Sequence, residues 1–310
     1  METHLVTAPP SALPAALAGL RYLVGVDGGG TGTRLRLADR EGRLLGEGRA
    51  GASALGQGSE KAWQHIREAL NMAAGQAGIE TPVPSQCAIG LGLSGVSVLA
   101  QTQSFLKLNP GYALLALDGD GWTTVLGAHG GQPGAVVAAG TGTVGEVLRR
   151  DGSRACISGW GWIAGDEGSG AWLGLKAARR AMAAFDGREP MGELALNVLD
   201  VIGRERPIIN AWNASAGQAG YAALARMVFD AAERDPYAAS LVKDAVAELE
   251  KLARALDPEE SLPLALSGSI AQRLGPLFSP ALRARCVPAQ GDSAEGGLHL
   301  VRHALAKLGY

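Results

Sequence analysis

Two glycine/threonine turns are the part of this sequence best suited to bind phosphate. The first reads Gly-Gly-Gly-Thr-Gly-Thr over residues 28–33, and the second reads Gly-Thr-Gly-Thr over residues 140–143. Glycine lets phosphate oxygens approach the backbone closely, and backbone N–H groups donate hydrogen bonds without mobile side chains. A structural hairpin turn uses the same residue types, so one turn alone predicts little. Together the turns predict nucleotide-phosphate binding by Gly29, Gly30, Thr31, Gly140, Thr141, Gly142 and Thr143.

The two turns belong to an internal repeat. When residues 22–42 are laid over residues 132–152 without gaps, seven of 21 positions are identical. Each copy has the pattern of a strand, a Gly/Thr turn, a second strand and a charged turn. Chance similarity in a glycine-rich chain is the alternative. A duplication predicts two related domains that face each other across a cleft, with one turn in each.

Two aspartates at predicted strand ends could provide metal and acid–base chemistry. The Mg²⁺ that accompanies a triphosphate keeps several waters and takes one or two carboxylates. Asp27, at the end of the apolar stretch 22–26, is the candidate metal residue, acting through a water. A hydroxyl that attacks phosphate needs a base, and Asp118, after the apolar stretch 113–117, is the candidate. We interpret Asp120 as a cap of the following helix; capping or turn roles are the alternative for the other two aspartates.

The segment 158–170 is unusual because two tryptophans stand among glycines and two acids follow them. Carboxylates accept hydrogen bonds from sugar hydroxyls, and aromatic rings pack on the C–H faces of sugars. These residue types therefore predict sugar binding. The alternative is a turn and N-cap before a helix from Ala171, with Asp166 or Glu167 favouring the helix dipole. Both interpretations can hold together.

The elements that would position these residues alternate between strand and helix. Strands are predicted at 22–26, 34–38, 44–48, 87–93, 113–117, 134–139 and 262–266, and helices at 59–77, through most of 171–256, from Ile270 and from Ala294. This order predicts an α/β protein with mixed or parallel sheets and flanking helices. The first turn leads into a second strand and not into a helix, which argues against a dinucleotide-binding fingerprint.

Composition excludes several classes of function. The 310 residues are 47% hydrophobic and carry a net charge of −2, so the chain lacks the basic surface of a nucleic-acid binder. No apolar run is long enough to predict a membrane span. Cys87, Cys156 and Cys286 lie far apart, which suits neither a disulfide framework nor a metal site and favours a reducing, cytoplasmic location. Residues 1–20 are interpreted as a loose, flexible leader.

In this order, the motifs resemble those of the N-acetylglucosamine kinase / BadF-BadG-BcrA-BcrD ATPase family of the actin-like ATPase superfamily. The resemblance runs from about Tyr22 to the end of the chain and rests on Gly25-Val26-Asp27-Gly28-Gly29-Gly30-Thr31, Leu117-Asp118, Ala139-Gly140-Thr141-Gly142-Thr143, Gly159-Trp160-Gly161, Gly165-Asp166-Glu167-Gly168-Ser169 and Leu266-Ser267-Gly268-Ser269. It implies a duplicated actin-like (ribonuclease H-like) ATPase fold with domains at 21–126 and 127–310. The last helix is expected to return to the first domain.

The resemblance also implies ligands and roles. ATP and Mg²⁺ would be the cofactors and a small sugar the substrate, with no nucleic-acid or membrane partner; the oligomeric state is left between a monomer and a homodimer. Thr31 and Thr141 would contact the phosphates, and Asp118 would be the base. Gly268 and Ser269 would lie near the adenosine. The sugar would be held by Gly159, Trp160 and Asp166, with Ser94 close by.

The substrate that the resemblance implies is N-acetylglucosamine, phosphorylated on its 6-hydroxyl, with glucosamine or another hexose as the alternative. Leu55 and Val144 stand where relatives often have polar residues, so recognition of the 2-substituent is open. A different class remains as a rival: an ATPase that activates a 2-hydroxyacyl-CoA dehydratase-type enzyme through a cluster held by paired cysteines. The spacing of the cysteines and the tryptophan segment argue against it.

Overall fold

The computed structural model describes residues 3–9 and 11–310. The chain forms two compact units. The first contains the described residues up to Pro133 together with Ala289–Tyr310, and the second contains Gly134–Pro288. None of the helices formed by the described residues has the length and apolar character needed to cross a membrane.

The elements are numbered in chain order. The strands are β1 (His4–Thr7), β2 (Tyr22–Gly28), β3 (Thr33–Asp39), β4 (Leu44–Ala50), β5 (Cys87–Leu93), β6 (Leu114–Asp118), β7 (Gly134–Ala139), β8 (Thr143–Leu148), β9 (Arg154–Ser158) and β10 (Leu264–Ser267). The α-helices are α1 (Leu13–Ala18), α2 (Ser59–Ala77), α3 (Leu99–Lys107), α4 (Asp120–Ala128), α5 (Gly170–Phe185), α6 (Glu193–Ile202), α7 (Arg206–Ser215), α8 (Gly217–Ala231), α9 (Pro236–Leu256), α10 (Ser269–Leu274), α11 (Pro280–Arg285) and α12 (Ser293–Lys307).

The first unit is built on a six-stranded sheet with the order β1-β6-β5-β2-β3-β4. The central strands β2, β5 and β6 are parallel, whereas β1 joins β6, and β3 and β4 join β2, in antiparallel pairs. Every residue of β5 is buried, as expected of a strand covered on both faces. The strand β3 instead starts with alternating buried and exposed residues, because its outer side is solvated.

Glycines let α12 lie directly on this sheet. A Cβ atom at Gly25 of β2 would stand 2.2 Å from the carbonyl oxygen of Ala294, and one at Gly90 of β5 would stand 2.0 Å from that of Gly297. Since Gly25 and Gly90 are direct neighbours in the β2–β5 register, they form one flat patch under the helix. Only residues without a side chain allow this separation.

The other face of the sheet is covered by α2 and α3. The Trp63 ring of α2 stacks on Phe105 of α3 with ring centroids 4.3 Å apart, and its indole N–H donates to the Phe105 carbonyl oxygen. Ile66 and Leu70 continue the apolar side of α2 at helical spacing. Burying these large side chains supplies most of the driving force for closing this layer.

The second unit has a four-stranded sheet with the order β10-β7-β8-β9, in which β7 is parallel to β10 and antiparallel to β8. Helices dominate the rest of it, as predicted for residues 171–256. Two side chains cap the amino-terminal ends of the two longest helices of this unit. Ser169 accepts the backbone N–H of Trp172 at α5, and Asp235 accepts those of Tyr237 and Ala238 at α9.

The internal repeat is reproduced in the topology of both units. In each, three successive strands form an antiparallel meander, β2-β3-β4 in the first and β7-β8-β9 in the second. In each, a later strand pairs in parallel with the first strand of the meander: β5 with β2, and β10 with β7. The repeat inferred from the sequence therefore corresponds to one fold pattern present twice.

The prediction of a loose leader over residues 1–20 is wrong for the part that the structure describes. The strand β1 pairs with β6, and Leu17 of α1 and the following Leu20 are buried. The segment was misread because four residues of strand carry little periodic signal, and β1 is held by pairing with a sheet edge. Residues 1, 2 and 10 of that prediction lie outside the described residues.

The boundaries between the units also differ from the predicted domain limit at 126/127. The first unit extends to Pro133, because α4 and the turn after it belong with its sheet, and the chain returns to this unit at Ala289. The returning segment contains α12, the helix that lies on Gly25 and Gly90.

Candidate active site

The carboxyl ends of β2, β5 and β6 meet at one edge of the first sheet. In the parallel register Asp27 stands beside Gly92, and Gly92 stands beside Asp118. Adjacent strands lie about 4.8 Å apart, so the two aspartates are about 10 Å apart on the same face. The carboxyl edge of a parallel sheet is where α/β proteins bind ligands. The structure therefore places both predicted acids of the first unit at one such edge.

Asp118, the predicted base, is held rigidly. It is only 4% exposed, and its Oδ1 atom accepts the backbone N–H of Gly119 at 2.8 Å. Its Oδ2 atom accepts the hydroxyl of Thr3 at 2.7 Å. Each carboxylate oxygen thus has a donor of its own, which fixes the plane of the carboxyl group.

Asp120 does not cap α4, contrary to the interpretation from the sequence. It is the first residue of the helix, and the N-cap is Gly119. The Asp120 carboxylate accepts the N–H of Gly121, and Ser94 is near enough to lower the pKa of this carboxyl group. Burial raises the pKa of Asp120, and the charge of Asp27 raises it further. Ser94, a predicted sugar contact, therefore lies against a second acid at the same sheet edge.

Asp27 forms an ion pair across the β2–β3 ladder. Two guanidinium nitrogens of Arg34 donate to its Oδ2 atom at 2.9 and 2.6 Å, and Arg34 also lies 3.7 Å from Asp292. Asp27 and Asp120 are close enough to interact electrostatically. Two carboxylates beside a Gly/Thr turn fit a Mg²⁺ ion that keeps most of its waters and binds phosphate oxygens. The described residues form no cluster of three or more metal-binding side chains, as a closed protein cage would need.

The first Gly/Thr turn is anchored at its base and open at its tip. The carbonyl oxygen of Gly29 accepts the backbone N–H groups of Ser53 and Ala54, and the Gln57 amide donates to the carbonyl of Gly30. Thr31 is exposed. A Cβ atom added at Gly29 would meet nothing within 4 Å, so the backbone there is accessible to a ligand atom.

The second Gly/Thr turn is fastened to the start of α5. The carbonyl oxygen of Gly140 accepts the N–H of Gly170 at 2.8 Å, and that of Thr141 accepts the N–H of Ala171 at 3.1 Å. Thr141 is exposed, as Thr31 is, whereas Thr143 is buried. Within the described residues the Thr143 hydroxyl has no hydrogen-bond partner. A buried hydroxyl of this kind is costly unless a ligand or water satisfies it.

The pair predicted to lie near the adenosine adjoins this turn. Gly268 follows β10 with a φ of 84°, and a Cβ atom there would stand 2.4 Å from the carbonyl oxygen of Ala139 and 3.2 Å from the nitrogen of Gly140. Ser269 begins α10. The carboxyl ends of the parallel strands β7 and β10 thus bring Gly140 and Gly268 together, although they are far apart in the sequence.

The tryptophan segment is a loop in an uncommon backbone conformation. Ser158 and Asp166, at its two ends, have positive φ angles of 68° and 54°, which residues other than glycine adopt rarely. Gly159 continues it and donates its N–H to the carbonyl oxygen of Thr143. At the tip, Trp160 is 84% exposed and Ile163 is 80% exposed. Backbone strain of this kind concentrates at functional sites.

Asp166 holds this loop against the second turn. It is 4% exposed, and its carboxylate accepts backbone N–H groups of Thr143 and Gly161 and the amide of Gln218. Burial raises its pKa, and these backbone hydrogen bonds counteract that rise. A carboxylate has about four acceptor positions, so sugar binding by Asp166 stays a prediction beside this structural role.

Two residues at usually polar positions have apolar surroundings. Leu55 is 2% exposed and belongs to the core of the first unit, so it offers little surface to a ligand. Val144 is half-buried, beside Gly159.

The sequence matches the model of the BadF/BadG/BcrA/BcrD ATPase family over residues 24–279. The chain belongs to this family. It is 31% identical over 280 residues to the glucosamine kinase GspK of Vibrio cholerae serotype O1, covering 90% of this chain and 95% of that protein. The membership predicted from the motifs is thereby confirmed.

Solved structures agree with the assignment to the BadF/BadG/BcrA/BcrD ATPase family. A provisionally named N-acetylglucosamine kinase from Chromobacterium violaceum is 48% identical, with a TM-score of 0.84 and coverage of 91% of this chain and 99% of that chain. A ROK hexokinase from Thermus thermophilus, 19% identical, aligns with a TM-score of 0.51 over 93% of this chain and 99% of that chain, which shows the fold alone. The α/β fold of the actin-like ATPase type is confirmed.

Three residues that contact the site aspartates were not predicted from the sequence. Arg34 could have been found, because it faces Asp27 across a predicted hairpin. Thr3 and Gln218 carry no such signal, since each reaches its aspartate from a distant part of the chain. The roles predicted for the other site residues stay predictions.

Proposed function

We propose that this protein transfers the γ-phosphoryl group of ATP to an amino sugar. The observation that carries the proposal is the 48% identity to a provisionally named N-acetylglucosamine kinase, with nearly complete coverage of both chains. The glucosamine kinase relative supports the same substrate class. The carboxyl edge of the first sheet supports the proposal, because Asp118 there is suited to act as the base and Asp27 to bind a metal ion.

In this proposal Asp118 accepts the proton of the attacking sugar hydroxyl. The new bond joins the hydroxyl oxygen to the γ-phosphorus, the bond between that phosphorus and the leaving oxygen of ADP breaks, and the proton passes to the Asp118 carboxylate. The two donors on Asp118 hold it in one orientation for this transfer. Correct orientation of a reacting group is a large part of enzymatic rate enhancement.

The phosphates would be bound by the Gly/Thr turns. Exposed Thr31 and Thr141 and the open backbone at Gly29 provide hydroxyl and N–H donors. Gly140 and the adjacent Gly268 would approach the nucleotide on the second unit. When bound, Mg²⁺ would neutralise charge on the phosphate oxygens, and Asp27 with Asp120 would hold it through water.

Ser94 and, separately, Gly159, Trp160 and Asp166 are the residues proposed to bind the sugar. The exposed Trp160 ring is suited to a sugar C–H face, and the Ser94 hydroxyl to a sugar hydroxyl. We propose N-acetylglucosamine as the acceptor, on its 6-hydroxyl. Glucosamine is the second candidate, since the relative from Vibrio cholerae carries that activity in its name.

A coupled ADP-release assay tests the proposal. N-acetylglucosamine, glucosamine and glucose are compared by kcat/KM with the same preparation, and the product is identified by mass and by the position of its phosphate. We expect an amino sugar to exceed glucose by at least about 10²-fold, because a site that bonds a 2-substituent rejects sugars without that group. Equal values for the three sugars would contradict the amino-sugar assignment. A preference for glucosamine would replace only the proposed acceptor.

A further inference from the structure

The strand β1 brings a hydroxyl to the carboxylate of Asp118. The ladder ends with His4 opposite Leu117, and Thr3 and Asp118 are the residues that adjoin this last pair. The Thr3 hydroxyl donates to Oδ2 of Asp118 at 2.7 Å across 115 residues of sequence. The contact therefore follows from strand register, and not from a mobile side chain that happens to reach the acid.

The hydroxyl adds a donor on the second carboxylate oxygen of this acid. The N–H of Gly119, which comes from the same turn as Asp118 itself, binds Oδ1. Donors on both oxygens restrain rotation of the carboxyl group about its Cβ–Cγ bond more than a donor on one oxygen does. Thr3, directly before β1, is a rigid source of that donor, because its β-branched side chain has few conformations.

We propose that Thr3 is a positioning residue for Asp118 and that β1 is a functional part of the active site. The inference rests on the proposed function, in which Asp118 takes the proton of the sugar hydroxyl. Strand pairing by β1 does not itself require a hydroxyl at residue 3. The hydroxyl of Thr7, the last residue of β1, donates to the carbonyl oxygen of the next residue, Ala8.

The test compares Thr3→Val, Thr3→Ser and the control Thr7→Val in the full chain, with the affinity tag at the carboxyl terminus. Valine keeps the β-branched shape and removes the donor; serine keeps the donor. We expect Thr3→Val to lower kcat roughly 10- to 100-fold while KM for ATP and for the sugar stays near wild type, since orientation affects the reacting step. Thr3→Ser should recover most of kcat, and Thr7→Val should match wild type.

The outcomes separate this inference from the proposed function. Wild-type or higher kcat in Thr3→Val overturns the positioning role, and so does equal loss in the valine and serine variants, which would indicate a purely structural effect. Full activity of Asp118→Asn overturns the assignment of the base, and the role of Thr3 falls with it. A wild-type protein inactive on every amino sugar contradicts both. Loss of kcat in Thr3→Val, rescue by serine and inactivity of Asp118→Asn support both.

Discussion

Asp118 and Asp120 are two residues apart, yet their surroundings differ. Asp118 is the last residue of β6 and has one donor on each oxygen. Asp120 is the first residue of α4, where burial and the charge of Asp27 raise its pKa while the N–H of Gly121 donates to it. The fixed acid at the strand end is the better candidate for proton transfer, and the acid beside Asp27 and Ser94 is better placed for ligand and metal binding.

The substitution Asp118→Asn should remove most sugar phosphorylation. The amide preserves the shape of the side chain but cannot accept the proton, so we expect kcat to fall by roughly 10²–10⁴-fold. Nucleotide affinity, measured by calorimetry with ATP and Mg²⁺, should stay close to that of the wild type. If Asp118→Asn kept the wild-type kcat, Asp118 would not be the base and Asp120 would become the candidate.

The raised pKa of Asp120 predicts a pH-dependent cost in stability. A carboxyl group with a higher pKa in the folded state than in the unfolded state destabilises the fold as pH rises through that interval. We therefore expect Asp120→Asn to raise Tm at pH 7, since asparagine carries no charge to bury. The gain should shrink as the buffer is brought below about pH 4, where Asp is ordinarily protonated.

Asp151→Asn is the matched control for that melting experiment. Asp151 is an exposed turn residue whose pKa is lowered by hydrogen bonds from Ser153. Its ionised form is stabilised by folding, so its substitution should lower Tm slightly at neutral pH, and that deficit should disappear in acid. Changes in Tm of the same sign in Asp120→Asn and Asp151→Asn at neutral pH would contradict an explanation based on their opposite pKa shifts.

At the scale of elements, α12 can lie directly on the sheet only because the residues beneath it, Gly25 and Gly90, have no side chain. The substitution Gly90→Ala would place a methyl group 2.0 Å from the Gly297 carbonyl oxygen and force the helix away from β5. We expect a loss of at least about 2 kcal/mol in the free energy of unfolding, measured by urea denaturation. Gly75→Ala is the control, because Gly75 lies exposed within α2 with nothing within 4 Å. It should stabilise the protein by about 0.5–1 kcal/mol.

The sequence predicted elements whose own pattern is strong and missed those held by their neighbours. The strand β5 was predicted at its observed limits, Cys87–Leu93, because a short apolar run bounded by polar residues is a clear signal. By contrast, β1 and β9 were missed, since four or five residues of mixed polarity become a strand only when a sheet edge is available.

The candidate site divides in the same way. Both Gly/Thr turns stand out in the sequence because the motif occurs twice, and Asp118 stands out because it directly follows an apolar stretch. The contact of Ser94 with Asp120, and that of Gln218 with Asp166, depend on how helices pack beside the sheets. No local pattern encodes such distances. The structural use of Asp166 by Thr143 and Gly161 was likewise beyond a sequence-based prediction.

At the scale of the whole molecule, the second unit is one continuous stretch of chain. Its core is formed entirely by residues between Ala135 and Leu282, with the helices α5, α8 and α9 at its centre. A fragment of residues 134–288 should therefore fold alone and melt cooperatively, as followed by circular dichroism. A fragment of residues 1–133 should not, because without α12 the patch at Gly25 and Gly90 is exposed to water. Cooperative melting of the shorter fragment would contradict this account.

The first unit is discontinuous, and this has a consequence for synthesis on the ribosome. All residues of the second unit are added to the chain before Ala289, so none of its elements has to wait for α12. The first unit emerges earlier but must wait for α12, and in the interval the uncovered edges and face of its sheet are exposed to other nascent chains. We would expect chaperones that bind unfolded apolar surface to associate with this protein mainly through its earliest residues, and to be released only when its last helix has left the exit tunnel.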